Sequence, residues 1–153
     1  MNYNDVLRSV RFALDLPETR VVELLALAGH AADRAAVVTY LKKEDEAGYV
    51  ECDAALLDHF LDGLIIERRG PRDDGALQPA PSQLSNNHIL KKLRIAFELK
   101  EDDVLAILHS VQFRITKGEL NALFRAPGHK NYRPCGDQFM RNFLRGLALR
   151  YRR

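Results

Sequence analysis

The chain has 153 residues, 46% of them hydrophobic and 29% charged, with a formal net charge of +2. That profile is globular, and the length allows one ordinary core or two small ones. Two cysteines are too few for a disulfide framework. No stretch nears the ~18 apolar residues of a membrane span, and the N-terminal run lacks a signal-peptide layout. The expectation is a cytoplasmic protein with reduced thiols and no membrane partner.

The sequence is written twice. Residues 1–70 laid over 84–153, at a constant offset of 83 and without a gap, give fifteen identical positions. They include Asn4/Asn87, Leu7/Leu90, Arg11/Arg94, Glu18/Glu101, Tyr49/Tyr132, Cys52/Cys135, Phe60/Phe143 and Gly63/Gly146. Many other pairs exchange one apolar residue for another. Such a match indicates duplication of a unit that packs with its copy.

Taken in chain order, each copy predicts four helices. In the first, Leu7, Val10 and Leu14 recur at helical spacing, with Arg11 on the same stripe. An internal pair between Arg11 and Glu18, repeated as Arg94 and Glu101, is the expectation, with a ligand-binding arginine as the alternative. Asp33 and Asp53 are candidate caps for the third and fourth helices. Residues 70–86, GPRDDGALQPAPSQLSN, have linker composition and separate an acidic first repeat (1–69) from a basic second repeat (87–153).

In the second copy Ser85, Asn86 and Asn87 offer N-caps before Ile89, Leu90, Leu93, Ala96 and Phe97. Asp102 and Asp103 suit the first turn of the next helix. Thr116 and Glu119 form a capping-box pattern for a third, with Leu120, Leu123 and Phe124 on its apolar face. Pro127-Gly128 ends it. The last helix starts near Gly136-Asp137 and turns Phe139, Met140, Phe143, Leu144 and Leu147 inward. Neither copy shows strand alternation. The predicted fold is all-α: two tandem four-helix repeats with helix-turn-helix-like middle helices, related by a pseudo-twofold axis.

The stretch GHKNYRPCGDQFMRNFLRG, residues 128–146, gathers His129, Cys135 and Asp137. A catalytic thiol needs a base and a lowered pKa. The first copy keeps Cys52 but places Glu46 against His129 and Ala54 against Asp137. The cysteine is shared and its supposed partners are not, which favours a small buried residue. The spacing of His129 and Cys135 matches no zinc pattern, and His30, His59, His88 and His109 are scattered. There is no Gly-rich phosphate loop and no nucleophile elbow. The reading is non-enzymatic, with no catalytic, cofactor or metal residue assigned.

Charge is what differs between the copies. Residues 1–70 carry 8 basic and 13 acidic residues, whereas residues 84–153 carry 14 basic and 6 acidic ones. Asp58/Arg141, Asp62/Arg145 and Glu67/Arg150 reverse sign at matching places. The VLAILHSVQFRITKGELNALFRA segment resembles a helix-turn-helix, whose second helix would expose Lys117, Asn121 and Arg125 at i, i+4 and i+8. Lys130 and Arg133 follow in a loop, and Arg141 and Arg145 share a stripe of the last helix. These seven are the candidate contacts to nucleic acid, whose phosphates and base edges such side chains bind. The alternative is a protein-interaction or self-association module, in which the acidic repeat of one chain meets the basic repeat of another.

The stretches NDVLRSVRFAL, YLKKEDEAGY, FLDGLIIERRG, LKKLRIAFELKEDDVLAIL and RAPGHKNYRPCGDQFMRNFLRGL resemble the YehS-like family of small bacterial proteins. The resemblance runs over nearly the whole chain. It implies a bacterial cytoplasmic protein with a tandem all-α domain of unassigned function, and it carries over no catalytic or cofactor residue.

Overall fold

The computed structural model describes residues 1–71 and 81–152. The helices are α1 (Tyr3–Leu14), α2 (Glu18–Leu27), α3 (Arg34–Leu41), α4 (Ala54–Arg69), α5 (Asn86–Ala96), α6 (Glu101–Ser110), α7 (Lys117–Leu123) and α8 (Asp137–Tyr151). No strand occurs among the described residues. Each of the last four helices begins 83 residues after its counterpart, so the chain builds the two tandem four-helix repeats that its sequence repeats. Of the expected linker, residues 72–80 lie outside the described residues. Its final residues already belong to the fold. Leu84 is buried, its N–H donates to the Tyr3 hydroxyl at 2.9 Å, and Ser85 caps α5 through the His88 N–H at 3.1 Å.

Local chemistry sets the helix limits. Asn2 with Asp5, and Thr116 with Glu119, form reciprocal capping boxes on α1 and α7. Asp33 and Asp53 each accept a backbone N–H at 2.8 Å, from Ala36 and Leu56. These acceptors satisfy amides that lack an intrahelical partner. Past α1 and α5 the chain turns at Asp15 and Glu98, each left-handed with φ 53°. The turn closes when Leu16 and Leu99 donate to the carbonyls of Arg11 and Arg94, at 3.0 and 2.9 Å.

The shared arginines act at these turns. Arg11 Nε donates to the Leu16 carbonyl at 2.8 Å, and Arg94 Nε to the Leu99 carbonyl at 2.9 Å. The expected Arg11–Glu18 pair does not form. The left-handed turn aims a backbone oxygen at the guanidinium, and Glu18 pairs with Arg34 at 3.2 Å instead.

Within each repeat the second helix crosses the fourth at a glycine. A Cβ on Gly63 would overlap the Leu24 carbonyl oxygen, and one on Gly146 the Ile107 carbonyl oxygen. Between repeats, α1 lies on α8 and α4 lies on α5. That reciprocal exchange is what a pseudo-twofold axis requires. Phe60, Phe143, Leu7 and Leu90 are fully buried in a single cluster spanning both repeats. Each repeat's first helix therefore covers the last helix of the other.

A second repeated device holds the irregular segments. The Asn87 side chain donates to the carbonyls of Leu123 at 2.9 Å and Arg133 at 2.8 Å, and accepts the Cys135 N–H at 2.8 Å. Fully buried Asn4 donates to the carbonyls of Tyr40 at 3.1 Å and Val50 at 2.9 Å, and accepts the Cys52 N–H at 2.8 Å. Asn87 is thus a clamp and not a helix cap. It joins the start of α5 to the end of α7 and to the strap leading into α8.

Two stability effects follow. Asn87→Ala leaves backbone groups without partners, and urea unfolding should show a loss of about 3 kcal/mol. Asn87→Asp should be at least as damaging, because it turns an acceptor toward two carbonyls; a neutral Asp variant would contradict the clamp. Gly63→Ala and Gly146→Ala force the crossing helices apart, and thermal unfolding should register about 2 to 3 kcal/mol for each.

Candidate functional site

The stretch 128–146 resolves into separate roles. Cys135 and Cys52 are buried and unpaired by disulfide. Burial, and secondly the charge of Asp137 or Asp53, pushes each thiol up to about 12. His129 accepts the Asn131 N–H on Nδ1 at 3.0 Å. Asp137 accepts from Asn86 Nδ2 at 2.8 Å and from the Met1 amino group at 3.0 Å, bonds that hold its carboxyl below the ordinary range. His129, Cys135 and Asp137 each bond elsewhere, and no hydrogen bond joins their side chains.

Far from this stretch, the fold brings His30 and His59 to 2.8 Å between their Nδ1 atoms. Burial, then the charge of His59, lowers the His30 pKa. No third metal-ligating side chain joins them among the described residues.

The seven basic or amide candidates sit on three different elements: α7, the loop after it, and α8. Lys117 opens α7 and pairs loosely with Asp102 at 3.6 Å, both largely exposed. Asn121 is exposed on α7, but Arg125 is not on that helix, which ends at Leu123. The carbonyls that would continue α7 are engaged from outside: Ala122 by the Arg133 N–H at 3.1 Å, Leu123 by Asn87. The i, i+4, i+8 stripe is therefore cut after two turns. Arg125, Lys130 and Arg133 stand exposed in the following loop. Arg141 and Arg145 lie on α8, where they line a groove with Arg8, Ser9, Phe12 and Leu144; the other five do not reach it.

This groove, about 620 Å³ in volume, occupies one of two pseudo-equivalent interfaces. At α4/α5, Asp58 is 2% exposed and accepts Lys92 Nζ at 2.6 Å and lies 3.1 Å from His88 Nε2. Lys92 also donates to Asp62 at 2.5 Å. The ion pairs close that face. At α1/α8 the positions of Asp58 and Asp62 hold Arg141 and Arg145, and that of Lys92 holds Ser9. Among the described residues Arg145 donates only to Asn142, at 3.3 Å. Neither Arg141 nor Arg145 has an acid within ion-pair distance among the described residues.

Arg8 forms part of the wall but is committed to Asp5 at 2.5 Å and to the Lys42 carbonyl at 3.0 Å. A second depression, lined by Arg69, Lys91, Arg94, Ile95 and Phe124, has its arginines similarly engaged. Arg69 pairs with Glu98 at 3.3 Å, and Arg94 sits 4.5 Å over the Phe124 ring.

Sequence reasoning missed Arg8, Ser9 and Phe12. The one available signal was an apolar residue off the core stripe of the first helix in both copies, Phe12 and Ile95.

Fold and site together define an all-α tandem-repeat protein with a basic groove at the junction of its repeats. The chain belongs to the family described as "Protein of unknown function (DUF1456)", whose model matches residues 3–70 and 86–153. It is 49% identical over 147 residues to the uncharacterized protein YehS of Escherichia coli (strain K12), covering 96% of this chain and 94% of that protein. No solved structure matches it. No helix among the described residues is long and apolar enough to cross a membrane.

The cysteines supply a check on these assignments. In the native protein a chromogenic disulfide reagent at neutral pH should modify Cys52 and Cys135 only slowly, and quickly once urea is added. Fast native labelling of Cys135 would return it to the list of reactive groups.

Proposed function

We propose that this protein is a non-enzymatic binding module that contacts nucleic acid through its basic second repeat, in a cytoplasmic setting. The observation that carries the reading is the sign reversal at the duplicated interface. Asp58 and Asp62 are consumed by Lys92, whereas Arg141 and Arg145 stand at the same positions with no acid within ion-pair distance among the described residues. Exposed guanidinium groups gain most from phosphate, with which they form charge-assisted hydrogen bonds. Lys117, Asn121, Arg125, Lys130 and Arg133 add exposed donors on the same repeat.

Labelled single-stranded and duplex DNA and RNA, titrated at two salt concentrations, test the reading. Two phosphate contacts imply that log affinity falls with log salt at a slope of about −1.4 on single strands, steeper if the loop cations join. The Arg141→Glu, Arg145→Glu double variant should bind at least about tenfold more weakly. Absence of binding at low salt would end the proposal. A specific observation favours one rival: Glu44, Asp45, Glu46 and Glu51 form an exposed acidic loop on the first repeat. If that loop of another copy meets the arginines, light scattering will show assemblies that dissociate as salt rises while the oligonucleotides stay free.

A further inference from the structure

We propose that the α1/α8 groove is a base-stacking site for single-stranded nucleic acid, with Phe12 as its platform; this rests on the nucleic-acid reading above and names its form. Three observations converge on it.

The first is that the groove differs from its own duplicate in the size of its side chains. Where α4/α5 carries Lys92 and Ile65, α1/α8 carries the shorter Ser9 and Ala148, while the longer Arg141, Arg145 and Phe12 stand at the positions of Asp58, Asp62 and Ile95. These short and long side chains together line the groove.

The second is the aromatic ring. Phe12 is 53% exposed and is the one aromatic residue among the large hydrophobic side chains exposed in the described residues. Nothing in the core calls for it there, since the core stripe of α1 runs through Val6, Leu7 and Val10. The Arg152 guanidinium lies 3.9 Å from the ring centroid, held by the Phe12 carbonyl at 2.6 Å. A planar cation stacked on a ring presents a further flat surface, and a nucleobase can stack on either. Leu149, 66% exposed, extends the apolar floor.

The third is the placement of charge. Arg141 and Arg145 flank this floor, one helical turn apart, with no acid within ion-pair distance among the described residues. Apolar floor, aromatic platform and flanking cations are the components of a groove that takes a strand by its bases and its backbone together. A duplex offers only phosphates, because its bases are stacked on each other. An acyl chain could use the floor, but would leave the stacked Phe12–Arg152 pair without a role.

The chain contains no Trp, so Phe12→Trp places a single reporter in the groove of the otherwise intact protein. Short oligothymidylate should quench that fluorescence, while duplex DNA of equal length should leave it unchanged. Anisotropy of labelled strands should show Phe12→Ala weakening single-strand binding by about tenfold without affecting duplex. Refilling the groove with uncharged bulk, Ser9→Leu and Ala148→Ile, should reproduce that loss. Phe12 is exposed, so circular dichroism of both single variants should match the parent.

Equal affinity for single strand and duplex, with no quenching and no effect of Phe12→Ala, would overturn the stacking site yet leave a phosphate-binding module standing. Quenching by an acidic amphipathic peptide or by oleate, but not by oligothymidylate, would overturn it in favour of another occupant. No binding of either nucleic acid at low salt would remove both proposals.

Discussion

A carboxamide clamp, used twice, governs this architecture. Between the third and fourth helices of each repeat the chain runs without regular structure, and its backbone groups need partners there. Asn4 and Asn87 supply them, each bonding two carbonyls and one N–H drawn from segments distant in sequence. An amide is suited to this because it has donors and an acceptor on one rigid plane, and no charge to bury. The clamp fixes where α3 and α7 stop and where α4 and α8 start. It also places the shared cysteine beneath the strap, which accounts for a buried thiol in both copies without invoking chemistry.

The duplication produced two interfaces from one design, α4 on α5 and α1 on α8. With the backbones matched, substitutions alone decide what each face does. Asp58, Asp62 and Lys92 seal one with short ion pairs on a buried carboxylate, a geometry that is costly to break from one side. The other has exchanged the acids for arginines and the lysine for serine, so the same positions point charge outward. The small net charge of the chain hides this, because the excess of acid in one repeat nearly cancels the excess of base in the other.

Much of the fold was legible because its signals are local or repeated. The capping box of Thr116 and Glu119, the caps at Asp33 and Asp53, and the ungapped register each need only neighbours or the second copy. Most of what escaped depends on chain segments brought from afar. Asn87 read as a helix cap because asparagine favours that place; its partners lie 36 and 46 residues away. Arg125 read as the third residue of a helical stripe, but α7 is ended by tertiary bonds to its last carbonyls. Arg11 read as half of an ion pair, although a left-handed turn gave it a backbone carbonyl. Arg141 and Arg145 were singled out by their sign reversal and their shared helical stripe. Their groove-mates Arg8, Ser9 and Phe12 come from the other repeat, and within that repeat only the off-stripe position of Phe12 marks any of them.

That last point bears on why a chain would keep both copies. The basic residues belong to the second repeat, but the groove wall that faces them is α1 of the first. Neither repeat alone builds the site, since each lends its first helix to cover the other's last. On the proposed reading a strand lying in the groove would touch α1 and α8 at once, so its binding energy would be linked to the packing of the two repeats. Divergence at five aligned pairs, Asp58/Arg141, Asp62/Arg145, Lys92/Ser9, Ile65/Ala148 and Ile95/Phe12, is on that reading enough to turn a structural interface into a binding one. The symmetric partner keeps its ion pairs between Lys92 and the two aspartates.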